Sequence, residues 1–520
     1  MKKILYSLLT FLCIVSFQSC EKYLDVEPKY DYTYDAAVTN YTNAQAIVSG
    51  IYKTMQHRWV ASELYPSLTS NGGFHQYYAA NAAGTFDPDG YSQKNIWINL
   101  YKVLNSTNIA IFALNQLEDE KYPSIEAKNA LIAEARLLRA WMHTQIFWSY
   151  NRYWDDDDSI YGLLYKGEVS SIDNEQQARL TVGESYAKLF EDIDFAIEHL
   201  PAFTDQFHMS QILAKSLKAK LFLYRGRDGD YQSALTLVDD VLLNLPANVH
   251  METSAGVFPE VLESSTGDTY NITSFEDNKS LMGALYENSW DSSENIFVSY
   301  LEDDGKRYSP VSGFTYYLLG DGTRYTSTTL TGGLKTLALN MMDEDFNKYR
   351  KEVFMGWSDY GTRGAYWCVE KLCRKDRYEF PNQKWATYYL RVPELYLMQS
   401  ELRMRLNPAD VVNSMAPLNL MRQNRGTIMV DGVETRFLPD VDTNGLTSQQ
   451  AMDILFKEYF LELGFENGSE YFATLRFQME DGRDWIEELN PNISEFMRCW
   501  PIPEVEITAN LECKQNFGWE

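Results

Sequence analysis

The residues of this 520-residue chain with the most evident capacity for chemistry are its rings. Phe74, His75, Tyr77 and Tyr78 crowd one stretch, and Tyr316, Tyr317, Arg324 and Tyr325 crowd another, inside the run GFTYYLLGDGTRY at 313–325. A sugar ring has apolar C–H faces edged by hydroxyls, so it stacks on an exposed Tyr, Trp or Phe while neighbouring polar side chains hydrogen-bond its rim. These eight residues are therefore the candidate ligand contacts. The competing reading is that each tyrosine packs only its own loop.

Most catalytic patterns are missing from the sequence. The six histidines, at 57, 75, 143, 199, 208 and 250, include no His-Glu-x-x-His and no close metal pair. There is no Gly-x-Ser-x-Gly elbow and no glycine-rich phosphate loop. Paired carboxylates for glycoside hydrolysis are defined in space and not in sequence, so a surface hydrolase stays as a lesser alternative. Asp440-x-Asp442-x-Asn444-Gly445 copies the first half of a calcium loop, but its twelfth position is Ala451, and Asp453 lies two residues too far along. The expectation there is a turn before a helix capped by Thr447 and Gln450. The four carboxylates at 155–158 are read as a solvated turn. No catalytic residue, metal or cofactor is assigned. Cys368 and Cys373, and Cys499 and Cys513, fall as local pairs; three disulfide connectivities, or four free buried thiols, are open.

Composition narrows the partners. Lys plus Arg number 46 against 73 Asp plus Glu, a formal net charge of −27, which repels a phosphate backbone and excludes a nucleic-acid role. Residues 1–19 read as an export signal, with Lys2 and Lys3 before an apolar run at 4–17. That run of about 14 residues is short of the ~20 that a membrane-spanning helix needs. Ser19-Cys20 resembles a bacterial lipoprotein cleavage site, which makes Cys20 the lipid attachment point and the body a soluble, tethered one.

The elements that must position these groups are mostly helices. After a polar lead at 20–41, helical spacing runs over 42–59, 96–117, 125–150, 181–200, 209–225 and 231–245. The 125–150 stripe is broad enough to pack on two neighbours, and Thr181 with Glu184 has capping-box spacing. Helices of this length joined by short polar turns predict a mainly α fold of tetratricopeptide-like hairpins, 42–247. The stretch 64–92 interrupts them as a long, ring-rich loop, which in a compact domain is a mark of function. Residues 248–386 read as an irregular, loop-rich binding region with few short strands, such as 295–300. Helices return at 387–405, 408–425 and 447–466, in a C-terminal region 387–520 that packs back on the scaffold.

Several segments resemble the SusD/RagB family of cell-surface nutrient-binding lipoproteins. Residues 133–150 (AEARLLRAWMHTQIFWSY) are similar to its Ala-x-x-x-Arg-Ala-rich helix, 390–403 (LRVPELYLMQSELR) to its Leu-Arg-x-x-Glu-x-Tyr-Leu helix, and 418–426 (LNLMRQNRG) to its Leu-Asn-x-x-Arg turn. The tail is the most specific: Pro501-Ile502-Pro503, Glu506, Asn510 and Gln515-Asn516-x-Gly518-Trp519. One signature departs. At 457–477 Glu458, Glu462, Glu466 and Arg476 match, while the family's second arginine and its aspartate are replaced around Ser469, Glu470 and Ala473. The family's residues at the replaced positions are read as scaffold ion pairs, so their loss bears on local packing more than on function.

The resemblance implies a SusD-like α–α superhelix of four hairpins supporting an irregular binding half. It also implies an outer-membrane, lipid-anchored protein facing the cell exterior that captures an oligosaccharide and passes it to a SusC-like TonB-dependent transporter, without catalysis. Family members hold ligand with loops in the two aromatic regions, and Tyr317 lies about where one of their platforms falls. A peptide ligand, as in the RagB branch, is the alternative.

Overall fold

The computed structural model describes residues 38–61, 63–72, 90–251, 291–300, 386–425 and 438–520, together with the backbone of short strands between 302 and 436. Helices dominate the described residues. The first eight are α1 (Tyr41–Met55), α2 (Arg58–Ala61), α3 (Leu64–Asn71), α4 (Tyr91–Gln116), α5 (Ile125–Tyr150), α6 (Val182–His199), α7 (Gln211–Arg225) and α8 (Asp230–Leu243). From α4 to α8 each packs on the next in the chain, and α1 lies against α4 and α5. That is the stacked-hairpin arrangement expected from the spacing. Its axis is α5, where every residue from Leu137 to Tyr150 is buried. A helix covered on all sides belongs at the centre of a stack. Capping follows the sequence: Thr181 and Glu184 form the reciprocal box at the start of α6, and Gly226, at φ +62, ends α7.

The stack does not stop at α8. That helix packs on α9 (Val392–Leu406), nearly 150 residues later, and α9 in turn on α10 (Val411–Arg425) and α11 (Ser448–Leu463). The intervening chain is thus an insertion into a helical array. Its described parts are strands: β1 (Asn295–Tyr300), β2 (Glu302–Asp303), β3 (Lys306–Arg307), β4 (Met355–Asp359), β5 (Ala365–Val369) and β6 (Ala386–Arg391), paired antiparallel as β1–β6, β2–β3 and β4–β5. A further hairpin, β7 (Thr427–Val430) with β8 (Val433–Arg436), follows α10. Short helices α12 (Ser469–Arg476), α13 (Trp485–Leu489) and α14 (Glu504–Ala509) complete the chain. Among the described residues no helix is long and apolar enough to cross a membrane.

Three local expectations are corrected. Residues 387–391 are strand and not helix; the β-branched and aromatic run Thr387-Tyr388-Tyr389 is buried on both faces, and the helix starts only where Pro393 fits its first turn. The stretch 64–92 is not loop throughout. Leu64–Asn71 is a buried helix, because Pro66 falls in a first turn that needs no N–H partner. The helix expected over 42–59 breaks at Gln56 and His57.

The C-terminal region carries buried ion pairs. Arg391 donates to Glu466 at 2.7 and 2.8 Å and to Glu294 at 2.8 Å, while Arg425 holds Glu462 at 2.8 Å and Glu294 through both its terminal nitrogens. Glu294 directly precedes β1, so this cluster rivets the returning end of the insertion to α10 and α11. Arg422 pairs with Glu458, and Arg476 with Glu401 at 2.9 Å. In the departing positions, Ser469 donates to Glu394 at 2.6 Å, and Glu470 accepts from Thr69 and from the Phe465 amide. Cys499 and Cys513 are free, buried thiols.

Candidate functional site

Local sequence places a ring platform at the root of the 73–89 stretch. After α1 ends, the His57 carbonyl accepts from the Val60 and Ala61 amides and winds the single turn of α2. This turn puts Arg58 and Trp59 side by side. Gly90 then caps α4, so Tyr91 is its first residue. The Trp59 and Tyr91 rings meet edge to face, with centroids 5.3 Å apart and planes at 77°. The Arg58 guanidinium lies 4.5 Å from the centroid of the Trp59 ring. Trp59 is buried but Tyr91 is 69% exposed. Exposure of so large a ring, held by a buried ring that itself carries a guanidinium, is a combination that suits a sugar face.

Beneath the platform is a carboxyl with unusual titration. Arg58 Nη2 donates to Glu63 Oε1 at 3.2 Å, and the Glu63 amide to the Arg58 carbonyl at 2.9 Å. Burial pushes the Glu63 carboxyl up to about 7, with Arg58 opposing the rise. His57 beside it is pushed down by burial, then by Lys102 and Arg58. The ensemble offers a stacking face, guanidinium donors and a carboxyl that changes charge near neutrality.

The residues expected to contact ligand, Phe74, His75, Tyr77, Tyr78, Tyr316, Tyr317, Arg324 and Tyr325, lie outside the described residues, as does Cys20. Two other rings of the 64–92 stretch are described, and they separate cleanly. Tyr65 is buried, donating to Gln145 at 3.1 Å, whereas Tyr91 faces outward. Sequence reasoning did not single out Arg58, Trp59 or Glu63. The one available signal was an Arg-Trp pair just after a helix, and the convergence of that pair with Tyr91 exists only in the fold.

The calcium-like run is a turn: Asp442 accepts from the Asn444 amide at 3.0 Å, Gly445 takes φ +76, and Thr447 with Gln450 caps α11. Among the described residues no group of three His, Cys, Asp or Glu could hold a metal ion.

Residues 22–223 match the family described as SusD-like_3, starch-binding associating with outer membrane. No curated protein matches the chain. Among solved structures, a SusD superfamily protein from Bacteroides thetaiotaomicron is 18% identical with a TM-score of 0.64, covering 92% of this chain and 100% of its own. A second, from Bacteroides vulgatus, is 16% identical with a TM-score of 0.65, covering 93% and 100%. A laminarin binding SusD-like protein is 16% identical with a TM-score of 0.60, covering 92% and 100%. The structural likenesses establish the fold.

Proposed function

Because the chain is SusD-like in its N-terminal sequence and in its fold, we propose that it is a non-catalytic surface lipoprotein that binds an oligosaccharide and delivers it to a SusC-like TonB-dependent transporter. The observation that carries this reading is the Tyr91 ring. It stands exposed against Trp59 at the root of a ring-rich stretch, and Arg58 lies over the Trp59 ring. Phe74, His75, Tyr77, Tyr78, Tyr316, Tyr317, Arg324 and Tyr325 are the further ligand contacts of this reading, on the strength of their residue types in the sequence. Cys20 carries the lipid, and the protein faces the cell exterior. The matching family's description as starch-binding and associating with the outer membrane supports the glycan ligand and the membrane location.

The test is affinity electrophoresis and calorimetry of the mature chain against a panel of oligosaccharides and peptides. At least one glycan is expected to bind and to be recovered uncleaved. Binding of peptides alone would transfer the protein to a RagB-like role, and released sugar products would make it a hydrolase. Cys20→Ala is expected to fold but to leave the membrane fraction, and the wild-type chain to co-purify with a TonB-dependent channel.

A further inference from the structure

The helix that carries Tyr91 has a charge pattern of its own. In a chain where 73 of 520 residues are acidic, none of the 26 residues of α4 is, while Lys94 and Lys102 lie on it. Helices α7 and α10 also lack acids, but there every base meets a carboxylate from another part of the chain. On α7, Lys215 pairs with Asp240, Lys218 with Asp194, Lys220 with Glu394 and Arg225 with Asp230. On α10, Arg422 pairs with Glu458, and Arg425 with Glu294 and Glu462. Lys94 and Lys102 pair with no carboxylate among the described residues. The bases of α7 and α10 fasten elements together, and those of α4 do not.

Helical spacing sets what lies beside these lysines. Tyr91, Asn95, Ile98 and Lys102 follow one another at four, three and four residues, so they share one stripe about 16 Å long. Tyr91, Ile98 and Lys102 are exposed, and Asn95 is half-buried. The Asn95 side-chain nitrogen donates to the Tyr91 carbonyl at 2.6 Å, which leaves its oxygen as an acceptor. Lys94 flanks the stripe one turn from Tyr91. The 57–58 turn borders the same face: Arg58 lies over Trp59, whose ring meets Tyr91, and His57 lies in the field of Lys102. Burial pushes the His57 imidazole down, and both charges that add to the effect, Lys102 and Arg58, are positive. Glu63, the partner of Arg58, is itself pushed up to about 7, so near neutral pH it offsets only part of that one charge. A stripe that begins on an open ring and is edged by unpaired cations, on a strongly acidic protein, focuses its potential on an anion.

We infer that the glycan held at this platform is acidic: a chain of hexuronates that stacks one ring on Tyr91, runs past Asn95 and Ile98, and sets its carboxylates against Arg58, Lys94 and Lys102. That the ligand is a glycan rests on the proposed function; that it is anionic rests on α4 and the 57–58 turn. The stripe is several sugar rings long, so an oligomer fills it and a single sugar does not. Each part of the ligand has its counterpart: the C–H face of a ring meets Tyr91, a hydroxyl donates to the Asn95 oxygen, and the repeated carboxylates meet cations spaced along the helix. Because these cations are exposed, their attraction is screened by salt over about 10 Å at 0.1 M ionic strength, and the affinity for an acidic chain depends on salt where stacking does not.

The test is calorimetry of the mature chain with three probes of equal length, a galacturonate oligomer, a neutral glucose oligomer and a glutamate peptide, at about 50 mM and about 500 mM salt. At low salt the galacturonate oligomer is expected to bind about tenfold more tightly than either of the others, and its lead over the glucose oligomer closes at high salt. Lys94→Met and Lys102→Met together, at positions without an ion pair and with the melting temperature unchanged, narrow that lead to about twofold. Tyr91→Ala weakens the galacturonate oligomer at both salt concentrations. Equal binding of the two sugars at low salt, a lead untouched by the double variant, or a peptide bound as tightly as the galacturonate oligomer overturns the assignment. Where the charge assignment alone fails, a neutral oligosaccharide still binds and the proposed function stands; where that function itself fails, no oligosaccharide of either kind binds at either salt concentration.

Discussion

Arginine beside carboxylates and rings occurs in two settings in this molecule, and their difference separates scaffold from site. At the junction of β6, α10 and α11, Arg391 and Arg425 are buried and share Glu294, Glu462 and Glu466. At the root of the 73–89 stretch, Arg58 is 55% exposed, stacks on Trp59 and pairs with Glu63. The first set has its charges compensated inside protein and serves cohesion. The second leaves guanidinium donors and the Tyr91 face open to solvent, where a ligand can use them.

The comparison breaks most visibly at the buried end. Arg425→Met removes a partner of both Glu294 and Glu462 and leaves their buried carboxylates undercompensated. Loss of one member of a buried ion pair costs about 3 to 5 kcal/mol, and urea denaturation is expected to show at least that. Arg58→Met, by contrast, is expected to change stability little. A buried-cluster variant as stable as wild type would remove the distinction.

The second effect is a pH dependence at the open end. Glu63 titrates at about 7 in the folded protein against a reference of 4.5. A carboxyl raised on folding binds its proton more tightly in the native state, so its contribution is fully present below pH 4.5 and is lost as pH rises toward 7. The loss is roughly 3 kcal/mol, since each pH unit between the folded and unfolded titrations is worth about 1.4 kcal/mol. Glu63→Gln is expected to flatten that slope in denaturation curves taken across the window, and an unchanged slope would show that the carboxyl is solvated.

How much of this was legible in the sequence follows the same division. The family-like motifs were readable because they are scaffold, and the structure shows each at work. Asn516 donates to the Tyr150 and Trp500 carbonyls, Gln515 brackets Ile502 from both sides, and the Trp519 indole donates to the Phe496 carbonyl. Glu394 and Glu401 are buried ion-pair partners of Lys220 and Arg476. Buried polar groups must find partners, which restricts residue type and spacing enough to leave a pattern. Helix periods and capping boxes were legible for the same reason. Tyr65 and Tyr91 were not distinguishable, since exposure of a ring is set by what packs over it. The 387–391 strand was misread because a fully buried apolar run has no period that separates strand from helix.

Gly518 sharpens the scaffold side at smaller cost. It takes φ +85, and a Cβ there would fall 2.5 Å from Phe496 Cγ. Gly518→Ala therefore meets backbone strain and a ring that is itself edge-to-face with Trp519. About 2 kcal/mol of destabilisation is expected, with faster hydrogen exchange confined to the tail around 496–520.

The smallest effect on stability is expected where the functional effect is most telling. Tyr91 is 69% exposed and starts α4, so Tyr91→Ala removes little buried area and should alter unfolding free energy by no more than about 0.5 kcal/mol. If the ring stacks a sugar, the same change weakens the glycan identified by calorimetry by about tenfold, near 1.4 kcal/mol, while Tyr91→Phe, which keeps the face, retains most of the affinity. Both variants unfold alike, so any difference in binding reads the ring and not the fold. Equal affinity in Tyr91→Ala and wild type would mean that this ring packs only its neighbour Trp59, and that the open arginine setting is as structural as the buried one.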